Sequence, residues 1–117
     1  VLSGLSYPER CDDDLIQFLI DLRAECDFEV TSDWRNPWDN KRVGGAQRSW
    51  HMEGRAVDLV RPLWNANEAF ILMHGIWSTW FNGEWDIRRA MELAVARDHI
   101  HVAILPKGHD SKFVVEG

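Results

Sequence analysis

Ser49-Trp-His51-Met-Glu-Gly54-Arg-Ala56-Val-Asp58-Leu-Val60 sets an imidazole and a carboxylate seven positions apart, with a glycine between them and an apolar run behind. Residues 56–60 read as a strand, so Asp58 belongs to a sheet. A second such segment follows as Arg97-Asp98-His99-Ile100-His101-Val102-Ala103-Ile104. Strand side chains repeat with period two, which puts His99 and His101 on one face. Adjacent histidines on a buried face are costly unless each nitrogen finds a partner, and a metal ion supplies one. Neutral imidazole nitrogen and carboxylate oxygen are both ligands that Zn²⁺ accepts, and three protein ligands leave a fourth position open. His51, Asp58 and one histidine of the later pair form a candidate open zinc site on the sheet.

Around these segments the chain reads as α+β. Residues 28–32 (Phe-Glu-Val-Thr-Ser) alternate as a strand, and residues 35–48, rich in Asn, Pro, Gly and charge, read as a loop. Asp12 is a good N-cap, and Leu15, Phe18 or Leu19, Leu22 and Cys26 recur at helical spacing behind it. Asn65 or Asn67 can cap a helix over residues 68–81, with Phe70, Met73, Ile76, Trp77 and Trp80 inward. After a break at Gly83 a further helix is expected over residues 85–96. Residues 99–105 form a strand, 106–110 a turn and 112–115 a short last strand. The expected architecture is one small α+β domain spanning residues 1–117, with a mostly antiparallel sheet and helices packed on it.

Composition bounds the rest. The 117 residues suit a single domain, and 45% hydrophobic with 27% charged residues is ordinary for a globular chain. A net charge of −6 without a basic stripe argues against nucleic-acid binding. The apolar stretches are too short and interrupted to span a bilayer. The chain opens without an initiating methionine or secretory signal, as expected of a processed or trimmed form, and localisation is not readable from its amino terminus. Cys11 and Cys26 bracket the first helix, which at ~1.5 Å per residue holds them ~22 Å apart, and a disulfide needs ~7 Å or less. Free thiols are expected. Of the seven tryptophans, Trp77, Trp80 and Trp85 read as core, and Trp34, Trp38 and Trp50 as candidates to line a cleft. His74 reads as structural and His109 as a solvated turn residue.

The run Ser49-x-His51-x-x-Gly54-x-Ala56-x-Asp58, preceded by Asn40-Lys-Arg-Val43-Gly44-Gly45-Ala46, resembles the zinc signature of the D-alanyl-D-alanine metallocarboxypeptidases. That family includes phage L-alanyl-D-glutamate endopeptidases and shares its fold with hedgehog signalling domains. Asp98-His99-x-His101 is similar to its second signature, and Thr31-Ser32-Asp33-Trp34-Arg35-Asn36-Pro37 to its arginine-bearing strand end. The resemblance spans residues 28–104.

It implies zinc ligands His51, Asp58 and His101. It implies Asp98 as the general base that takes a proton from zinc-activated water, and Arg35 as the group holding a substrate carboxylate or stabilising the oxyanion. His99 matches a position near the catalytic carboxylate and is a secondary catalytic candidate. Some members carry a further histidine two residues before the base, where this chain has Ala96. The implied function is zinc-dependent hydrolysis of peptidoglycan peptide bonds, as a D,D-carboxypeptidase or an endolysin-type endopeptidase. It implies a monomer acting outside the cytoplasm on cell wall, whether secreted, periplasmic or phage-encoded. The alternative is a non-catalytic zinc-binding recognition module of the hedgehog-like kind.

The residue types suit that chemistry independently. Zinc acidifies bound water and polarises a carbonyl, a nearby carboxylate can shuttle the proton, and the planar fork of arginine pairs with a carboxylate in two parallel bonds.

Overall fold

Asp12 opens the first helix, α1 (Asp13–Glu25), by accepting hydrogen bonds from the backbone N–H groups of Asp14 and Leu15. That satisfies two donors the helix cannot satisfy itself, and Asp13 and Asp14 sit favourably at its positive end. Leu15, Phe18, Leu19 and Leu22 form its buried face. The computed structural model describes residues 4–46, 49–61, 65–80, 89–96 and 98–115.

Among the described residues five strands form one sheet in the order β1-β2-β4-β3-β5: β1 (Glu29–Ser32), β2 (Ala56–Val60), β3 (Met91–Val95), β4 (Ile100–Ile104) and β5 (Lys112–Val115). All neighbours are antiparallel except β3 and β5. The period of two divides the sheet into two chemically different faces. Val57 and Leu59, Ile100, Val102 and Ile104, and Met91, Leu93 and Val95 pack under α1 and α3 (Ala66–Trp80) in the main core. The alternate positions carry Asp58, His101 and Glu92, with the small residues Ala56 and Ala103 buried beside them. Arg89 locks the arrangement from one end: it donates to both Asp12 and Asp14 and to the carbonyls of Ile104 and Leu105.

The α+β class and the single mostly antiparallel sheet agree with the sequence reading, as do the strand at 56–60 and the free cysteines. Asn65 is the cap of α3: its side chain accepts from Asn67 and Glu68 N–H. Met73 and Trp77 are buried on that helix, while Phe70 and Ile76 pack partly buried against the core. The side chain of Trp80 and residues 81–88, including Phe81, Gly83 and Trp85, lie outside the described residues.

Two expectations need correction. Residues 91–95 are strand β3, not the end of a helix. Met, Glu, Leu and Ala favour helix locally, but the stretch alternates buried and half-buried. Pairing with β4 on one side and β5 on the other decides it, as tertiary context overrides a weak propensity. Residues 35–48 are not all loop either: α2 (Pro37–Arg42) lies within them. Asn36 caps it through Asp39 N–H at 2.8 Å, and Pro37 occupies the first turn. Asn and Pro, read as loop formers, here start a helix.

Candidate metal centre and cleft

His51 sits on a short 3-10 turn, Trp50–Glu53, that Ser49 caps by accepting the His51 N–H at 3.2 Å. Gly54 ends the turn at φ +70, and a Cβ there would stand 1.7 Å from the carbonyl oxygen of Arg10. Only glycine fits both the left-handed backbone and that approach. The turn buries the imidazole to 2% exposure and sets its Nδ1 2.8 Å from the Asp33 carbonyl oxygen. A carbonyl only accepts, so Nδ1 carries the hydrogen and Nε2 keeps its lone pair.

That Nε2 is buried with no hydrogen-bond partner among the described residues, although Asp58 Oδ1 lies 3.3 Å away. Asp58 Oδ1 is also 3.3 Å from His101 Nδ1. Donor atoms of His51, Asp58 and His101 all lie within 4.8 Å of one another, a group that could hold a metal ion. Ligands ~2.0–2.1 Å from a tetrahedral zinc stand ~3.3–3.4 Å apart, so the two measured separations match the edges of that polyhedron. The orphaned nitrogen, the hard–borderline donor set and the spacing all fit zinc.

Charge is concentrated there. Burial would raise the Asp58 pKa, but hydrogen bonds and charge from His101 and His51 outweigh it and hold the carboxyl well below the usual range. Burial likewise disfavours a charged His101, yet Asp58 and Glu92 together push it up to about 9. Glu92 is held below the usual range, chiefly by its hydrogen bond with His101. Its Oε1 lies 2.8 Å from His101 Nε2. The sequence reading missed Glu92 because residues 91–95 were expected in a helix. Its signal was the polar residue at the second position of Met91-Glu-Leu93-Ala-Val95, on the face opposite the core.

Arg35 leaves the end of β1, donates its backbone N–H to the His51 carbonyl at 3.0 Å and turns its guanidinium toward the metal group. Nη2 stands 3.6 Å from Asp58 Oδ2, and Nη1 donates to Asn40 Oδ1 at 3.2 Å. Buried Asn40 in turn donates to the Ala46 carbonyl at 2.8 Å, which ties the segment after α2 to the arginine. Gly45 makes this possible, since a Cβ there would lie 2.1 Å from Asn40 Oδ1 and 2.9 Å from Arg35 Nη1.

A cleft of about 440 Å³ opens over these groups, walled by Arg35, Trp50, His51, Asp58, Glu92, His99 and His101 among others. Asp98 stands outside its wall, with its side chain 86% exposed and Oδ1 2.8 Å from His99 Nδ1. That hydrogen bond lowers the Asp98 pKa. Thus Arg35 and the three ligand candidates converge, His99 faces the same cavity, and Asp98 reaches it through His99.

Of the tryptophans expected at the cleft, Trp50 lines it. Trp34 is a buttress instead, donating to the Met52 carbonyl at 3.0 Å under the Arg10 guanidinium. Trp38 projects from α2, 75% exposed. His74 packs among Phe70, Trp77 and Phe113 and is structural, whereas His109, though exposed, sets its ring edge-on to Trp50.

A family model described as Peptidase M15 matches residues 5–74. The chain belongs to the peptidase M15 family. No curated protein and no solved structure matches it. The span shared with this family of zinc-dependent peptidases contains Arg35, His51 and Asp58. In this M15 peptidase the third ligand candidate, His101, is brought in by the β2–β4 pairing. Among the described residues no helix is long and apolar enough to cross a membrane.

Proposed function

We propose that this M15 peptidase hydrolyses peptide bonds of bacterial peptidoglycan, as a D,D-carboxypeptidase or an endolysin-type endopeptidase acting outside the cytoplasm. The observation that carries the reading is the convergence of His51 Nε2, Asp58 Oδ1 and His101 Nδ1 beneath a cleft that also receives Arg35. His51, Asp58 and His101 would hold zinc, which when bound supplies Lewis acidity toward the scissile carbonyl and acidifies water.

The chain's own residues do the rest. Arg35, steadied by Asn40 and carrying a buried Nε with no partner among the described residues, offers N–H groups to a substrate carboxylate or to the oxygen of the carbonyl under attack. Asp98 is the proton acceptor. His99, hydrogen-bonded to it and facing the cleft, carries the proton between the cavity and that exposed carboxylate. The Arg35 guanidinium at the cleft, kept together with Asp98, favours an enzyme over a non-catalytic recognition module.

Digestion of purified peptidoglycan, with mass analysis of the fragments, tests the reading. Release of a terminal D-amino acid marks a carboxypeptidase, and cleavage within the stem peptide marks an endopeptidase. Intact cell wall after prolonged digestion with the zinc-loaded protein overturns the proposal.

A further inference from the structure

We propose that Glu92 is the positioning residue that fixes His101 as a metal ligand through Nδ1. The inference rests on the metal reading above and adds the residue that orients the third ligand. Glu92 Oε1 lies 2.8 Å from His101 Nε2. A carboxylate only accepts, so once the ring is neutral, as a metal requires, its one hydrogen stays on Nε2 at the shorter contact and the lone pair is left on Nδ1. Nδ1 is the nitrogen 3.3 Å from Asp58 Oδ1, on the side of the metal group.

Asp33 does the converse for His51, where its carbonyl holds the hydrogen on Nδ1 and leaves Nε2 inward. The two histidines therefore present opposite nitrogens to one centre, each set by an acceptor on the far side of the ring. The acceptor on His101 is the stronger of the two because it is charged. The indole N–H of Trp50 and the ammonium of Lys112, paired with Glu92 in the β3–β5 register, favour that charge. Such outer carboxylates orient metal-bound imidazole and raise its basicity.

Glu92 is neither a fourth ligand nor the base. Its carboxylate contacts the ring nitrogen turned away from Asp58, and it is absent from the group whose donor atoms lie within 4.8 Å of one another. Its place follows from the strand period: Glu92 pairs with Ala103 and His101 with Ala94, two register steps apart, so both point from the same face of β3 and β4 as diagonal neighbours.

The test measures zinc dissociation constants by competition with a chromophoric chelator for the parent chain, Glu92→Gln and His101→Ala. It also assigns the His101 ring nitrogens in the zinc-loaded parent by long-range ¹H–¹⁵N NMR. Glu92→Gln should bind zinc ~10–100-fold more weakly, the usual loss for such a partner, and His101→Ala more weakly still. The spectrum should show zinc on Nδ1 and a hydrogen on Nε2, a readout that needs no variant and that a merely structural glutamate does not control. Unchanged affinity in Glu92→Gln, or zinc on Nε2, overturns the role of Glu92 alone. A parent chain that takes up no zinc overturns the metal reading and this inference together.

Discussion

Asp58 and His101 are directly opposed in the antiparallel register of β2 and β4, with Oδ1 3.3 Å from Nδ1. Opposed residues on one face hold their side chains together without any loop contribution. Two of the three ligand candidates are thus positioned by sheet hydrogen bonding, and His51 is brought over them by the capped turn before β2. The protein is expected to retain near one zinc per chain after gentle purification, measured by elemental analysis. His51→Ala and His101→Ala should each lose it, and full stoichiometry in either variant sinks the assignment.

Proton competition at His101 sets the pH dependence. The group titrates near 6.5 when unperturbed and is pushed up to about 9 in the metal-free fold. A raised folded pKa means that the charged imidazole between Asp58 and Glu92 stabilises the metal-free protein fully below pH 6.5 and ceases to do so as pH rises through about 9. Zinc needs the neutral ring, so its apparent affinity should run the other way, climbing with pH until about 9 and then levelling. Thermal melts of the metal-free chain, set beside zinc titrations from pH 6 to 10, should show the two trends with opposite signs. Parallel trends would remove His101 as the group that exchanges a proton for metal.

Asp98 is exposed, and its side chain pairs with His99 rather than with a ligand candidate. Asp98→Asn should therefore leave zinc content intact. If Asp98 is the proton acceptor, turnover of cell-wall peptide should fall ~10²–10⁴-fold. His99→Ala should produce a loss of the same kind, since the carboxylate reaches the cleft through that ring. Zinc loss in Asp98→Asn, or full activity in both variants, rejects the pair as the proton-transfer unit.

Arg35→Lys separates two uses of the guanidinium. Grip on a free terminal carboxylate predicts a raised KM, because a point charge replaces a fork. Stabilisation of the oxyanion predicts that kcat and kcat/KM fall together. Comparing a free-acid peptide with its C-terminal amide discriminates, since only the first use needs the terminal charge. Parent-like rates in both Arg35→Lys and Arg35→Ala would reduce the arginine to a structural contact of Asn40.

Gly54→Ala should be costly even though the residue contacts no substrate. The new Cβ would meet the Arg10 carbonyl at 1.7 Å, in a backbone at φ +70 that alanine adopts under strain. Strain of that kind is ~1–3 kcal/mol by itself, before the clash is relieved. Denaturant melts should show at least that loss, with zinc affinity reduced as the His51 turn shifts. A neutral substitution would mean that the turn is free to move.

The sequence by itself determined the candidate metal ligands and most of the periodic elements. His51, Asp58 and one histidine of the 99/101 pair stood out because the two segments together offer a zinc ligand set, the family resemblance picked His101, and β2 was legible from residues 56–60. The N-cap at Asp12 was legible as well, because capping is a local event within one helical turn. What only tertiary structure decided depends on partners remote in the chain. β3 is a strand because β4 and β5 pair with it, against the local preference of its residues. Glu92 joins the site through that pairing, and His99 rather than its partner Asp98 lines the cleft. The nitrogen that each histidine presents is decided by acceptors 18 and 9 residues away, at Asp33 and Glu92. A tautomer is set by the hydrogen bond on the far side of the ring, and no spacing of letters along the chain encodes that bond.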